Sequence, residues 1–201
     1  MNMKKVLAMM LAVLMIMTAT VAGTVAWLTV TSGTVTNTFT TGDINIELKE
    51  HKYENGALTA DEVVANDTYK VVPGATEPKD PFVRVKAGSE KCYVYVCIEN
   101  NVQLDDDTVV ASYNINGDEW VKIAENGAKA LYRFKAIVDA SAEDKTCQVF
   151  SQVTYDGSMI TKENIGQVKE DTIVVQAFAH QSDYIENVTV ADTAAKAQFG
   201  F

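Results

Sequence analysis

The chain is poor in the residues that build most catalytic and metal centres. It holds two histidines, three cysteines and three prolines in 201 residues. His51, in "HKYEN", has no second histidine at helical spacing, so the helical zinc-protease pattern is absent. His180, in "AFAHQSDY", has Ser182 and Asp183 beside it. Adjacent strand residues point apart and no GxSxG elbow occurs, so His180 reads as a rim residue at a strand end. Cys92, Cys97 and Cys147 form no CxxC and stand far from both histidines, which argues against zinc. Five residues separate Cys92 from Cys97, and an odd separation on a strand sends them to opposite faces. Two readings of the thiols stay open: one of that pair bridges Cys147, or all three are small buried hydrophobes. The three prolines all fall in "PGATEPKDP" at 73–81, a stiff connection that no interior ladder tolerates.

Charge is missing from the whole stretch between Val6 and Gly42. Its first part follows "MNMKK" as the apolar run "VLAMMLAVLMIMTATVAGTVA". A short positive region, an apolar run and small residues at −3 and −1 make a secretory signal, with Thr24 and Ala26 before the cut and Trp27 after it. The other reading of the run is a retained anchor, since it approaches the ~20 residues of a spanning helix. Cleavage after Ala26 removes Lys4 and Lys5, so 17 basic residues become 15 against 27 acidic ones, a net charge of −12. Such a chain repels phosphate backbones, and no nucleic-acid partner is expected. The membrane is met only through the uncleaved signal.

What is abundant is alternation of period two. Ile44, Ile46 and Leu48 alternate with polar residues, and Val83 and Val85 flank Arg84. Cys92, Val94, Val96 and Ile98 alternate with Tyr93, Tyr95 and Cys97, while Tyr132, Phe134, Ala136 and Val138 oppose Arg133, Lys135 and Ile137. "DTIVVQAFAHQ" is apolar on both faces. This is the signature of strands. "GSEK" at 88–91, "NGDE" at 116–119 and "YDGS" at 155–158 suit hairpin turns. "TADEVVA" at 59–65 reads as a short helix, with Thr59 and Glu62 as its capping pair. "VADTAAKAQFG" reads as a last helix. Seven to nine short strands with two faces to bury predict an all-β chain: two packed antiparallel sheets in a β-sandwich, with one or two short peripheral helices. The expected organisation is a signal peptide over 1–26, an amino-terminal assembly strand and hinge over 27–42, and the sandwich over 43–201.

The remaining clusters have modest readings. "DDDT" at 105–108 and "DASAEDK" at 139–145 carry carboxylates without calcium-loop spacing, and read as solvated turns. Trp120, Tyr93, Tyr95 and Tyr132 read as core or cross-strand aromatics, with a carbohydrate groove as the alternative. No cofactor is expected.

That leaves "WLTVTSGTVTNTFTTG", a Thr- and Val-rich ribbon without charge. Trp27, Leu28, Val35 and Phe39 give it apolar side chains, and Gly33 and Gly42 give it hinges. Edge strands are ordinarily defended by charge, and this one is not. It pairs either with its own sheet edge or with a neighbour's, where backbone bonds give affinity. Repeated head to tail, the second contact does not close and gives a filament.

The chain resembles the secreted proteins of Gram-positive bacteria processed by a SipW-type signal peptidase, including the TasA biofilm matrix protein and the camelysin (CalY) group. The resemblance is carried by "MKKVLAMMLAVLMIMTATVAGTVAWLT", "TNTFTTGDINIEL", "VPGATEPKDPFVRVKAGSEKCYVYVCIEN", "VFSQVTYDG" and "IVVQAFAHQSD". It implies a jelly-roll-like sandwich, export, the peptidase as a partner, and self-association into matrix fibres at the cell surface or beyond it. The assembly strand it implies lies within Trp27–Thr41, with Val35, Asn37, Thr38, Phe39 and Gly42 in the best-matching part. Relatives often carry an Asp soon after the first aromatic, and "WLTVTSG" has none. The expected function is a non-enzymatic structural protein. A metal-dependent surface peptidase, as the camelysin group has been classed, and a monomeric carbohydrate-binding or adhesion module are the alternatives.

Overall fold

The computed structural model describes residues 37–38, 43–66, 71–161, 163–168 and 172–201. Its strands are β1 (Asn37–Thr38), β2 (Ile46–Glu54), β3 (Ala57–Val63), β4 (Thr76–Pro78), β5 (Phe82–Val85) and β6 (Cys92–Asn100). They continue with β7 (Ala111–Tyr113), β8 (Trp120–Asn126), β9 (Lys129–Phe134), β10 (Lys145–Gln148), β11 (Gln152–Tyr155) and β12 (Ile173–Gln181). One 3-10 turn (Ile165–Gln167) and one helix, α1 (Val188–Phe199), complete the described elements. Among the described residues the chain is all-β with one short α-helix.

The strands form three sheets rather than two: β1-β12-β6-β9-β8, β10-β5-β2-β3 and β4-β11-β7. All pairings are antiparallel except β1 on β12. The two smaller sheets share a register. Gln148 faces Phe82 and Gln152 faces Pro78, four residues apart on both strands, so none is gained or lost between them. The break falls at 79–81, between Pro78 and Pro81, where two backbone donors are missing. Two bonds still bridge it: Lys79 N–H to Ser151 O at 3.2 Å and Val149 N–H to Pro81 O at 2.9 Å.

Alternation sets the core as the sequence leads one to expect. Ile44, Ile46 and Leu48 are buried, as are Val83 and Val85. β6 is buried on both faces. Cys92, Val94, Val96 and Ile98 join a core drawn from all three sheets, while Tyr95 and Cys97 join a second cluster with Leu131, Phe178, Ala191 and Ala195. That second cluster lies under α1. Asn187 caps the helix by accepting from Thr189 N–H at 2.9 Å, and Gly200 ends it with φ 76°. Thr193, unfavourable inside a helix, turns its hydroxyl back to Thr189 O at 2.8 Å.

Two local expectations are corrected. "TADEVVA" is not helical; most of it lies in β3, paired antiparallel to β2. The overriding signal is Asn55-Gly56, both at positive φ (53° and 84°), the turn that a two-residue hairpin requires. Glu62, read as a capping partner, instead receives Arg84 Nη1–H at 2.7 Å across the sheet. The turns at "GSEK", "NGDE" and "YDGS" exist, but they are not hairpins. The first leads from β5 to β6 and the second from β7 to β8, strands of different sheets, and the third follows β11 into the loop before the 3-10 turn.

Candidate functional site: the margin at β12

Every sheet edge is a row of unpaired backbone groups, so each needs a defence. β3 carries Asp61 and Glu62. β8 carries Lys122 and Glu125, and its register with β9 slips between Lys122 and Ala124. β4 has three residues and ends in a proline. β7 also has three, and the Asn114 side chain after it accepts from Ser151 and Gln152 N–H at 2.9 and 2.8 Å. β10 has four, and the Trp120 indole donates to its Gln148 carbonyl at 2.7 Å.

β12 is built differently. Its nine residues, "IVVQAFAHQ", include no acid, lysine or arginine and no proline. One side pairs with β6 along its full length. On the other side lies β1, where Asn37 faces Ala177 and Thr38 faces Phe178 in parallel. Ile173, Val174, Val175 and Gln176 have no strand partner on that side among the described residues.

Beside that end of β12 is a cavity of about 50 Å³. Leu48, Val64, Ala65, Pro81, Ile173 and Val175 give it apolar walls. A paired charge stands at its polar side. Glu50 is 3% exposed, accepting from Lys79 Nζ and from Asn66 N–H, both at 2.5 Å. With both carboxylate oxygens engaged, Glu50 fastens the loop after β3 and the connection before β5 to the same strand, which holds this wall in place. No family model, curated protein or solved structure matches this chain. The reading of the site therefore rests on its own geometry.

Of the residues named for cleavage and assembly, Asn37 and Thr38 are the two that the structure describes, and they pair within their own chain. Thr24, Ala26, Trp27, Leu28, Val35, Phe39 and Gly42 lie outside the described residues.

The other sequence candidates fall elsewhere. His180 sits next to the end of β12, its Nδ1 2.8 Å from the Gln181 carbonyl oxygen. Ser182 Oγ donates to Asp183 at 3.4 Å and makes no bond with the ring. His51 Nδ1 meets Asp80 Oδ2 at 2.6 Å, and Asp80 Oδ1 also accepts from His51 N–H at 3.0 Å. Sequence reasoning missed this pair because 29 residues and a proline connection separate its members. Among the described residues, no group of three or more histidines, cysteines or acids is placed to hold a metal ion. "DDDT" is a turn closed by Leu104 N–H on Thr108 O and Asp107 N–H on Leu104 O, both at 3.0 Å. In the second acidic cluster, the Ser141 hydroxyl and N–H both donate to Asp139 and hold its carboxyl below the ordinary range. Lys86 does the same for Asp144, and Lys145 for Glu143. These acids are engaged by their own loop and by the connection between β5 and β6.

All three thiols are free and buried, with Cys92 and Cys97 in different clusters as their spacing requires. Trp120, Tyr95 and Tyr132 are buried, and Tyr93 is half-buried.

Proposed function

We propose that this chain is an exported, non-enzymatic structural protein of the cell surface or extracellular matrix. Its signal is cut after Ala26 by a SipW-type peptidase, and the freed arm completes the β12 edge of the next subunit. The observation that carries the reading is that margin: a nine-residue strand without acid, lysine, arginine or proline, met on its outer side by β1 at Ala177 and Phe178, where β3 and β8 are defended by charge and the others are short. β1 supports it further, because a contact made within one chain can be exchanged between chains at little cost. Exchange repeated head to tail gives an open filament.

The finer architecture belongs to the same proposal. The shared register of β4–β5 and β10–β11 makes the two smaller sheets one bent layer, opposite the five-stranded sheet. That gives a two-layer, jelly-roll-like sandwich in which one margin is left to the arm.

The test compares the chain beginning at Trp27 with the same chain lacking 27–41, by electron microscopy and sedimentation. Filaments from the first and folded monomers from the second are expected. Filaments from the shortened chain overturn strand donation.

A further inference from the structure

The contacts around Glu50 bring an amine, a carboxylate and an amide together. Glu50 on β2 accepts from Lys79 Nζ through Oε2 and from the Asn66 backbone N–H through Oε1, both at 2.5 Å. One carboxylate therefore stands between the Lys79 amine and Asn66. Glu50 is 3% exposed and the Lys79 side chain 15%. The Asn66 side chain is fixed as well. Its Oδ1 accepts from Tyr53 N–H at 2.7 Å, and its Nδ2 donates to the His51 carbonyl at 2.8 Å. These two bonds span the place where the register of β2 on β3 slips, between His51 and Tyr53. Each part has a role in amide transfer. A primary amine beside a carboxylate is a nucleophile beside its base. An amide oxygen that accepts a backbone N–H is polarised, and the same donor stabilises the oxyanion formed when the carbonyl is attacked. The wall beside the pair is apolar, with Leu48, Val64, Ala65 and Pro81. There a proton passing from ammonium to carboxylate leaves two neutral groups in place of two charges, which apolar surroundings favour.

We propose that Lys79 and Asn66 join in an amide bond within one chain, formed by the chain itself with Glu50 as the proton relay. Nζ rests on the carboxylate, the arrangement that precedes the transfer. Glu50 takes a proton from the Lys79 ammonium. The freed lone pair on Nζ attacks Asn66 Cγ, and Tyr53 N–H holds the oxygen as it becomes anionic. Glu50 gives its proton to Nδ2, the Cγ–Nδ2 bond breaks and ammonia leaves. The second proton shed by Nζ follows through the same carboxylate, so the departing species is ammonium and Glu50 ends as it began. No oxidant or reductant takes part. The product turns the ion-pair clamp between the loop after β3 and the connection before β5 into a covalent one, which neither salt nor a reducing agent opens. Neither export nor strand donation is needed for it.

The test is mass spectrometry of the chain beginning at Trp27, intact and after proteolysis. The expected intact mass is lower than that of the sequence by one ammonia, and the digest should hold a branched peptide joining the segments of Lys79 and Asn66. The branch tells the link from a cyclic imide at an Asn-Gly pair such as Asn55-Gly56, which loses the same ammonia but joins nothing. Lys79→Arg keeps a cation beside Glu50 and should give linear peptides only. Glu50→Gln, shown to be folded by circular dichroism, should slow the linkage roughly a hundredfold, read as the linked fraction at matched times after synthesis. Linear peptides alone from the folded parent overturn the proposal, and that digest decides whether or not the Glu50 variant folds. Linkage as fast in folded Glu50→Gln as in the parent overturns the relay.

Discussion

Raising the pH should unfold this protein through its three thiols. Cys92, Cys97 and Cys147 are 0%, 2% and 2% exposed. Burial pushes their pKa from the ordinary 9.0 to about 12, about 11 and about 12. A folded pKa above the unfolded one contributes stability that is complete below pH 9 and is lost as pH rises, because only the unfolded chain releases the protons. At pH 10 the loss is about 1.4 kcal/mol for each thiol, or about 4 kcal/mol for the three. That is a large part of the roughly 5–15 kcal/mol that holds a domain folded. Tyr95 and Tyr113, also raised chiefly by burial, add to the loss above pH 10. The assay is urea unfolding under reducing agent at pH 7.5 and pH 10. The midpoint should fall steeply, and Cys92→Ala, Cys97→Ala or Cys147→Ala should each abolish about a third of the fall. Each substitution lowers stability at pH 7.5 by leaving a small void, so the quantity to compare is the pH dependence and not the absolute midpoint. A triple variant with the same pH dependence as the parent would refute the reasoning.

Two further perturbations probe how the layers are held. Fully buried Tyr95 donates to Asp192 Oδ1 at 3.0 Å, and Arg133 Nη1 lies 3.5 Å from the same oxygen. Asp192→Ala strands both groups under α1, so it should cost about 2–3 kcal/mol by urea unfolding, against about 1 kcal/mol for Tyr95→Phe. The reverse order contradicts the account of the helix contact. A Cβ at Gly157 would stand 2.9 Å from backbone atoms of Gly74, so Gly157→Ala should destabilise by about 1–3 kcal/mol. A thermal midpoint unchanged within error would show that the two loops move apart freely.

Four strands were legible because alternation and short apolar runs need only local sequence. β2, β5, β6 and β12 appear where Ile44–Leu48, Val83–Val85, Cys92–Ile98 and "IVVQAFAHQ" place them. β3 was missed because the sequence reading rested on the capping pair Thr59 and Glu62 and left out Asn55-Gly56, the stronger short-range signal. Glu62, read as a capping partner, instead pairs with Arg84 and Lys49 across the sheet. Which strands pair was beyond a local reading. The prolines at 78 and 81 mark a stiff connection, but nothing local says that strands resume on both sides of it in one register. The His51–Asp80 and Tyr95–Asp192 contacts span 29 and 97 residues and leave no trace in any short window. The edge at β12 was half legible. Its lack of charge is written in the sequence, while its place at a margin follows only from topology.

That distinction bears on how an edge like β12 can be kept without uncontrolled aggregation. The other margins are blunted by means that cannot be reversed: charge at β3 and β8, length at β4 and β7, an indole at β10. A covering segment of the same chain is the one defence that can be withdrawn. Among the described residues, Asn37 and Thr38 engage Ala177 and Phe178 of β12. A tether holds such a cover near its seat at an effective concentration on the order of mM, which favours the intramolecular contact at dilution. On the proposed reading, exchange proceeds once export has raised the concentration of chains above that value.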